Sequence, residues 1–311
     1  MRERFLANSN GFGNFIISNG MNIFRFSNFY LALAVSLMLL SVGSIVVFGL
    51  TLGIDFAGGS IMEVQYEDPR PLVETIQFSL EELKIEDLQI QHVGEQNMLL
   101  RMKDIPENTH QQILQVLGEN ARELRFESIG PVIGRELTEK TFLITVLSLL
   151  VLVSYIAFAF RKVADPVRVW HWPLASLLAL VFDLMIPLGV FALFGEFEGM
   201  ELSIPVVVAL LTVLGYSINN NIVVFDRVRE NVFKNRGVGM EDVMNMSIKQ
   251  TLSRNVNTSL FTLFPVLAIF FFGGETLRAF SLVLGVGIVS GLYSSILLSP
   301  PFLLKMFDKR L

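Results

Sequence analysis

The stretch IPVVVALLTVLGYSINNNIVVFDR, residues 204–227, is an apolar run that carries three consecutive amides, Asn219, Asn220 and Asn221. An apolar run of about 20 residues is long enough to cross the hydrocarbon core of a bilayer. Inside that core each unsatisfied polar group costs several kcal/mol, so the amides require an explanation. The explanation depends on the class of protein to which the chain belongs.

Six apolar runs of this kind lie along the chain and predict an α-helical membrane protein. Of its 311 residues, 52% are hydrophobic and 27 are phenylalanine, and the mean hydropathy is +0.56. Apolar runs of this length are typical of membrane spans rather than of soluble domains. The predicted spans are approximately residues 29–50, 140–160, 173–195, 204–225, 257–273 and 279–303.

Basic residues predict how the spans are oriented, because Lys and Arg accumulate in the cytoplasmic segments that flank spans. The short links on the other side, 196–203 and 273–278, are acidic or nearly neutral. We therefore expect both termini to be inside and residues 53–138 to be outside. The basic residues of the predicted inner segments are Arg2, Arg4, Arg25, Arg161, Lys162, Arg168, Arg227, Arg229, Lys234, Arg236, Lys249, Arg254, Lys305, Lys309 and Arg310.

The spans divide the chain into four predicted parts. Residues 1–28 form a cytoplasmic N-terminal segment, 29–52 the first transmembrane helix, 53–138 a small head domain, and 139–311 transmembrane helices 2–6 with a cytoplasmic amphipathic link at 228–254. No small-residue cleavage site follows the first span, so we expect an uncleaved anchor rather than a removable signal peptide.

Residues 53–138 predict a compact α+β domain, because the apolar pattern changes from continuous runs to alternation. The order of the predicted elements is βαββαβ, the ferredoxin-like split pattern. The predicted strands cover 60–66, 87–93, 97–103 and 123–129, the second and third joined by a hairpin at 94–96, and the helices cover 71–83 and 110–120.

Enzyme and metal chemistry have no support in the sequence. Cysteine is absent and the three histidines are not at ligand spacing. There is no Walker A loop, no GxSxG and no HExxH motif. We therefore expect neither catalysis nor a cofactor.

Asp183 is the clearest ionisable residue within a predicted span. Such residues usually face a bundle interior or a water path, which predicts proton binding or pairing with a buried cation. The alternative is a purely structural carboxyl, held neutral by a neighbouring hydroxyl or amide. Asp226 and Arg227 end the fourth span and are interpreted as an interfacial anchor.

The start of the fifth span carries a polar stripe, since Arg254, Thr258 and Thr262 recur at every fourth residue. If it faces the fourth span, this stripe can reach Ser217 and the asparagines. The alternative is ordinary helix packing by small and hydroxylated residues. Before it, residues 240–252 predict a short amphipathic helix at the cytoplasmic surface.

Several long motifs extend over nearly the whole chain. They are LGIDFAGGS (52–60), SIGPVIGRELTEK (128–140), GYSIN and VVFDRVREN within 215–231, NTSLFTLF (257–264), FFGGETLRAFS (271–281) and SGLYSSILLSPPFLL (290–304). In these motifs the chain resembles the SecF family, membrane subunits of the bacterial protein-export machinery.

The resemblance implies an inner-membrane subunit that is half of an RND-type transporter, with a periplasmic head and cytoplasmic termini. It implies pairing with SecD beside the SecYEG channel, with YajC-like and YidC-like proteins as further possible partners and an exported polypeptide as the cargo. It also implies that the proton motive force drives export. In the family, an aspartate of span 4 and an arginine and a threonine of span 5 carry the proton path, which places Arg254 and Thr258 in it.

This chain departs from that pattern at two positions. The aspartate of the family falls on Asn220 and the next hydroxylated residue falls on Asn221, whereas Asn219 belongs to the pattern. An amide has the shape of a carboxylic acid but cannot release a proton. Proton coupling is then lost, moved to Asp183, or left to SecD. Either an introduced substitution or natural divergence explains Asn220, and the second departure at Asn221 favours divergence.

Three functions remain open at this level. The first is an export accessory that converts ion flow into movement of its head domain. The second is a structural subunit of the translocon without ion transport of its own, and the third is a half-transporter for lipids or drugs, against which the long motifs argue.

Overall fold

The computed structural model describes residues 22–66, 70–94, 96–118, 120–161, 170–235 and 237–308. Six helices in these ranges are long and apolar enough to cross a membrane: Ile23–Phe48, Pro131–Ala159, His171–Glu198, Ile204–Lys234, Met240–Phe272 and Leu277–Phe307. The predicted six-span α-helical membrane fold is confirmed. The predicted N-terminal segment up to residue 21 lies outside the described residues, as do Lys162, Arg168, Arg236, Lys309, Arg310 and the hairpin residue Glu95.

The elements follow one another in the predicted order. They are α1 (Ser27–Phe48), α2 (Ile54–Ala57), β1 (Gly59–Tyr66), α3 (Val73–Leu80), β2 (Gln89–Val93), β3 (Asn97–Met102), α4 (Glu107–Leu117), β4 (Ala121–Ile129), α5 (Pro131–Ala159), α6 (His171–Glu198), α7 (Ile204–Lys234), α8 (Met240–Phe272), α9 (Glu275–Tyr293), a π-helical segment (Ser294–Leu298) and α10 (Ser299–Asp308).

The helices extend beyond the apolar runs that predicted them. In particular, α7 continues to Lys234 and α8 begins at Met240. The amphipathic residues of the predicted link therefore form the ends of two long helices rather than a separate surface helix. Their apolar side chains Val228, Met244 and Ile248 are buried in one cluster. The apolar face of the predicted link is thus buried within the protein, and its location at the cytoplasmic surface stays a prediction.

The chain divides into two compact units. Of the described residues, those within Met1–Leu50, Val146–Met200 and Val208–Leu311 form the helical unit, and those within Thr51–Thr145 and Glu201–Val207 form the head unit.

The head unit is built on one four-stranded sheet with the strand order β2-β3-β1-β4. Its neighbouring strands are all antiparallel, so the βαββαβ prediction is confirmed. Alternate residues of each strand point to the same side of the sheet. The apolar residues on one side pack against α3 and α4. The core formed there contains Met62, Val64, Tyr66, Ile76, Leu80, Met98, Leu100, Met102, Ile113 and Leu117.

The helical unit is held together by close crossings at glycine. A Cβ atom added to Gly189 of α6 would lie 2.5 Å from the Cα atom of Ser41 in α1. The Ser44 hydroxyl donates to the carbonyl of Gly189 at 2.8 Å. At Gly287 of α9, an added Cβ would overlap the Val213 side chain of α7. Small residues are how membrane helices approach closely, because apolar surface alone gives no preference for protein over lipid.

Candidate functional site: a buried carboxyl among serines and amides

Asp183 lies in the middle of α6 and is completely buried. Its Oδ2 accepts hydrogen bonds from the Ser217 hydroxyl of α7 and from the Ser294 hydroxyl of the π-helical segment at 2.7 Å. Its Oδ1 has no hydrogen-bond partner among the described residues. A charged side chain is costly within a bundle of membrane helices. The charged and the neutral form of the Asp183 carboxyl therefore differ strongly in energy. Asp183 therefore lies inside the bundle, while its role in proton binding stays a prediction.

Asn221 continues this hydrogen-bond chain toward the end of the last span. Its Nδ2 donates to the carbonyl of Ser217 at 3.1 Å and lies 3.4 Å from the Ser217 hydroxyl. Its Oδ1 accepts from the Ser299 hydroxyl at 2.6 Å. Each polar group of the chain Ser299–Asn221–Ser217–Asp183–Ser294 is thus bonded to its neighbour, and all five residues are buried.

The π-helical segment explains why two serines five residues apart both reach the site. The Ser299 amide donates to the Ser294 carbonyl, which is the i to i+5 bond of a π turn. This bond places Ser294 and Ser299 one above the other on the same side of the helix. Segments of this kind are frequent at functional sites.

Asn220 is buried with 1% of its surface exposed, but it lies apart from this chain. The Asn255 side chain of α8 donates to the backbone carbonyl of Asn220 at 3.5 Å. The Asn220 Nδ2 has no partner among the described residues. The three amides of the opening stretch therefore have different surroundings: Asn219 is exposed, Asn220 is buried near α8, and Asn221 belongs to the Asp183 chain.

The predicted stripe on α8 does not face α7. Arg254 and Thr258 are exposed, and the hydroxyls of Thr258 and Thr262 donate to carbonyls of their own helix. The neighbouring stripe makes the contacts instead. Asn255 bonds to Asn220, and the Tyr216 hydroxyl donates to Ser259 at 2.9 Å. Spacing identified the polar residues but did not determine which of them point toward α7.

The exposed polar residues form an outward polar face on α7 and α8. On α7 it contains Thr212, Gly215 and Asn219, and on α8 it contains Arg254, Asn257 and Thr258. At 1.5 Å per residue, Asn219 lies about 22 Å from the first residue of α7, and Thr258 about 21 Å from the last residue of α8. Both distances are smaller than the thickness of the bilayer core, which is about 30 Å.

The sequence did not single out the serines as site residues. Ser294 and Ser299 lie in a small-residue run that is normally interpreted as helix packing, and Ser217 was only one of several residues within reach. A signal was nevertheless present, because a lone buried acid requires donors. Among the described residues, no group of three His, Asp or Glu side chains is placed to hold a metal ion.

Family models match most of the chain. The model of protein export membrane protein SecD/SecF, C-terminal, matches residues 109–309, and the SecD/SecF GG motif matches residues 43–69. A protein translocase subunit SecF of Thermobaculum terrenum is 39% identical over 285 residues, covering 86% of this chain and 88% of that protein. The subunit of the same name in Anaerolinea thermophila is 35% identical over 282 residues, with 88% and 91% covered.

Solved structures of SecDF share the fold. The crystal structure of the translocon-associated membrane protein SecDF from Thermus thermophilus matches with a TM-score of 0.81 at 34% identity, covering 93% of this chain and 39% of the SecDF chain. SecDF in a super-membrane-facing form matches with a TM-score of 0.67 at the same identity and coverage. This chain therefore spans well under half the length of SecDF.

Proposed function

The chain belongs to the SecD/SecF family of protein-export membrane proteins, and we propose that it is the SecF-type accessory subunit of a Sec protein translocase. In this role it pairs with a SecD subunit in the bacterial inner membrane and assists the export of polypeptides. Its head domain is periplasmic, both termini are cytoplasmic, and the pair works beside the SecYEG channel. YajC-like and YidC-like proteins are further candidate partners.

The outward polar face is the observation that supports pairing with SecD. Asn219 and Arg254 are exposed on helices that are long and apolar enough to cross a membrane. Groups of this kind are unfavourable against lipid tails, so they require protein or water as neighbours. A second set of membrane helices that covers α7 and α8 would give these groups polar neighbours. SecD is the candidate because the solved relative is named SecDF.

Site-specific cross-linking tests this pairing. The chain has no cysteine, so Thr212→Cys and Asn219→Cys each introduce one thiol on the outward polar face. A thiol-reactive photo-cross-linker at either position is expected to capture SecD in membranes that contain the pair. The matched control is Val46→Cys on α1, which is 78% exposed on an apolar surface. Capture at Val46 but at neither polar position would contradict the proposal.

The proton-dependent step of the pair is assigned to Asp183. Asn220 cannot ionise, whereas Asp183 is buried, has one unpartnered oxygen and is connected by serines to α7 and to the last span. Loading or release of a proton there changes which hydrogen bonds Ser217 and Ser294 can make. A proton gradient can drive a cycle of this kind, because one charge moved through 100 mV is worth about 2.3 kcal/mol.

Export by reconstituted vesicles tests the assignment. In vesicles with SecYEG, SecD and this chain, Asp183→Asn should abolish the increase in export that a proton gradient produces. Asn220→Asp should raise that increase, because it places a second titrating group within the bundle. Asp226→Asn, at an exposed position, is the control and should have no effect.

The structural-subunit alternative predicts a different result in these vesicles. It is favoured by the amide at position 220, which removes the acid that the family uses. If it holds, export depends on the presence of the chain, but Asp183→Asn and Asn220→Asp leave the response to the gradient unchanged.

A further inference from the structure

The link between α6 and α7 is bound to the segment that precedes β1, although the two are about 150 residues apart. Leu52 and Leu202 form a parallel bridge. The Leu202 amide donates to the Thr51 carbonyl at 2.7 Å, and the Gly53 amide donates to the Leu202 carbonyl at 2.8 Å. The link is thus held as a short extended segment of the head unit. It belongs to this unit through its contacts, although it is far from the rest of the unit in sequence.

Gly53 is required for this approach. A Cβ atom at this position would lie 2.9 Å from the Leu202 carbonyl oxygen, closer than real Cβ atoms come to such an atom. The glycine is therefore explained by the close approach of two backbones and not by an unusual backbone angle.

Asp55 binds the first residue of α7. Its Oδ2 accepts a hydrogen bond from the Ile204 amide at 2.8 Å. The first amides of a helix have no partner within the helix, and a carboxylate there is stabilised by the helix dipole. The carboxylate in this case comes from a different part of the chain, so it fixes the start of α7 as well as capping it.

Arg101 and Glu201 add a shielded ion pair to the same link. The Arg101 Nη1 lies 2.7 Å from the Glu201 Oε1, and each side chain is only 15% exposed. Arg101 is on β3 and alternates with the core residues Leu100 and Met102, so it projects from the opposite face of the sheet. A shielded pair of this kind is sensitive to the loss of either partner, because the remaining charge loses the attraction that offset part of its desolvation cost.

The same helix then carries the buried site. α7 is continuous from Ile204 to Lys234 and contains Ser217, Asn220 and Asn221. Its first residues belong to the head unit and the rest belongs to the helical unit. A change in hydrogen bonding at Asp183 thus acts on a helix whose other end is held by Asp55 and, through Glu201, by Arg101.

We propose that Asp55, Arg101 and Glu201 are positioning residues that make the head domain and the start of α7 move as one body, so that the state of the Asp183 site is passed to the head. This inference rests on the proposed export function for its biological readout, but the physical attachment can be measured without it. None of the three residues touches the Asp183 site. Their role is to transmit movement.

Matched charge removals test the transmission. Glu201→Gln and Arg101→Gln should each remove the gradient-dependent increase in export, and the double variant should lose no more than either single one, since both act through one contact. Glu198→Gln is the control, because Glu198 lies three residues before Glu201 and pairs at 2.9 Å with Arg278 of the helical unit. All variants are compared at equal amounts of the complex with SecD, so that a loss of export is not caused by misfolded protein.

Two outcomes would overturn the proposal in this assay. One is a gradient-dependent increase that survives in both single variants, and the other is an equal loss in Glu198→Gln. A covalent bond adds a third arm: Leu52→Cys combined with Leu202→Cys, once oxidised, should keep the increase, because the two segments never separate. Loss of the increase on oxidation, with recovery on reduction, would also overturn the proposal.

Hydrogen–deuterium exchange separates this inference from the proposed function. Asp55→Ala and Glu201→Gln should speed exchange in the peptide that contains Ile204, whereas Glu198→Gln should not. If the unmodified pair shows no gradient-dependent export, the proposed function fails while the exchange result still decides the attachment. Unchanged exchange in both variants means that the attachment itself is absent.

Discussion

Asp183 and its serines show how much of a membrane site depends on single hydroxyl groups. The carboxyl has two donors on one oxygen and none on the other among the described residues. A buried carboxyl that loses a hydrogen-bond donor still bears the cost of its desolvation, and no longer has the bond that offset this cost. The stability of the bundle should therefore respond to Ser294 more than to a buried serine that makes no hydrogen bond to Asp183.

Ser294→Ala should lower the free energy of unfolding by about 1–3 kcal/mol, because it removes a donor from a buried carboxyl. The matched control is Ser295→Ala. Ser295 is equally buried, but its hydroxyl donates only to the Leu292 carbonyl of its own helix. Thermal unfolding of the purified chain in detergent measures both. Equal shifts in the two variants would mean that Ser294 does not stabilise Asp183.

Residue identity could be predicted from sequence better than residue orientation. Asp183 was identified because an acid within an apolar run is rare, and it is buried as predicted. For Arg254 and Thr258 the sequence left two interpretations open, and both residues are exposed. A stripe of period four gives the residues that share a face but not the direction of that face. The direction is set by contacts with other helices, which the sequence does not display.

At the scale of elements, glycine determines where helices can approach. α1 and α6 cross at Gly189, where the Cα atom of Ser41 occupies the space of a side chain. At Gly287 of α9, the corresponding space is occupied by the Val213 side chain of α7. These crossings hold α6 and α7, the two helices that supply Asp183, Ser217 and Asn221.

Gly189→Ala should destabilise the bundle by about 1–3 kcal/mol, since the added methyl group overlaps the backbone of α1 and cannot be relieved by a side-chain rotation. Gly43→Ala, in the partner helix, is the control because no atom lies within 4 Å of its added Cβ. That variant should be neutral or up to about 1 kcal/mol more stable. Denaturation in detergent compares the two, and a neutral Gly189→Ala would contradict the close crossing.

The elements themselves followed from hydrophobic patterns, but their ends did not. α5 begins at Pro131, about nine residues before the predicted span, because its first turns carry Arg135, Glu136, Glu139 and Lys140. A hydropathy pattern detects only the part of a helix that is apolar. The π-helical segment could not be predicted either. One extra residue in a helix shifts the hydrophobic pattern, but this shift cannot be seen in a run whose residues are all apolar or small.

At the scale of the whole molecule, the outward polar face is the observation on which the proposed pairing with SecD depends. Exposed polar side chains such as Asn219 and Arg254 are unfavourable against lipid tails, so the proposal requires a partner that covers this face. The six spans and the charge bias also predict a definite orientation, with the head domain on the outer side.

Single-cysteine labelling in intact cells tests this orientation. Gln89→Cys lies in the head unit and Gln250→Cys lies near the start of α8, and both positions are exposed. A membrane-impermeant maleimide should label Gln89→Cys in intact cells and Gln250→Cys only after lysis, because basic residues keep the inner segments inside. Labelling in the reverse pattern would invert the topology.

The π-helical segment gives the last span a freedom that an ordinary helix lacks. One surplus residue can migrate along a helix, and each step turns the residues that it passes by about 100° relative to the rest. Such a slip would withdraw one hydroxyl from Asn221 or Asp183 and present another from the neighbouring serine-rich turn, with no bend and no tilt of the span. The helix can thereby exchange its donors by rotation in place.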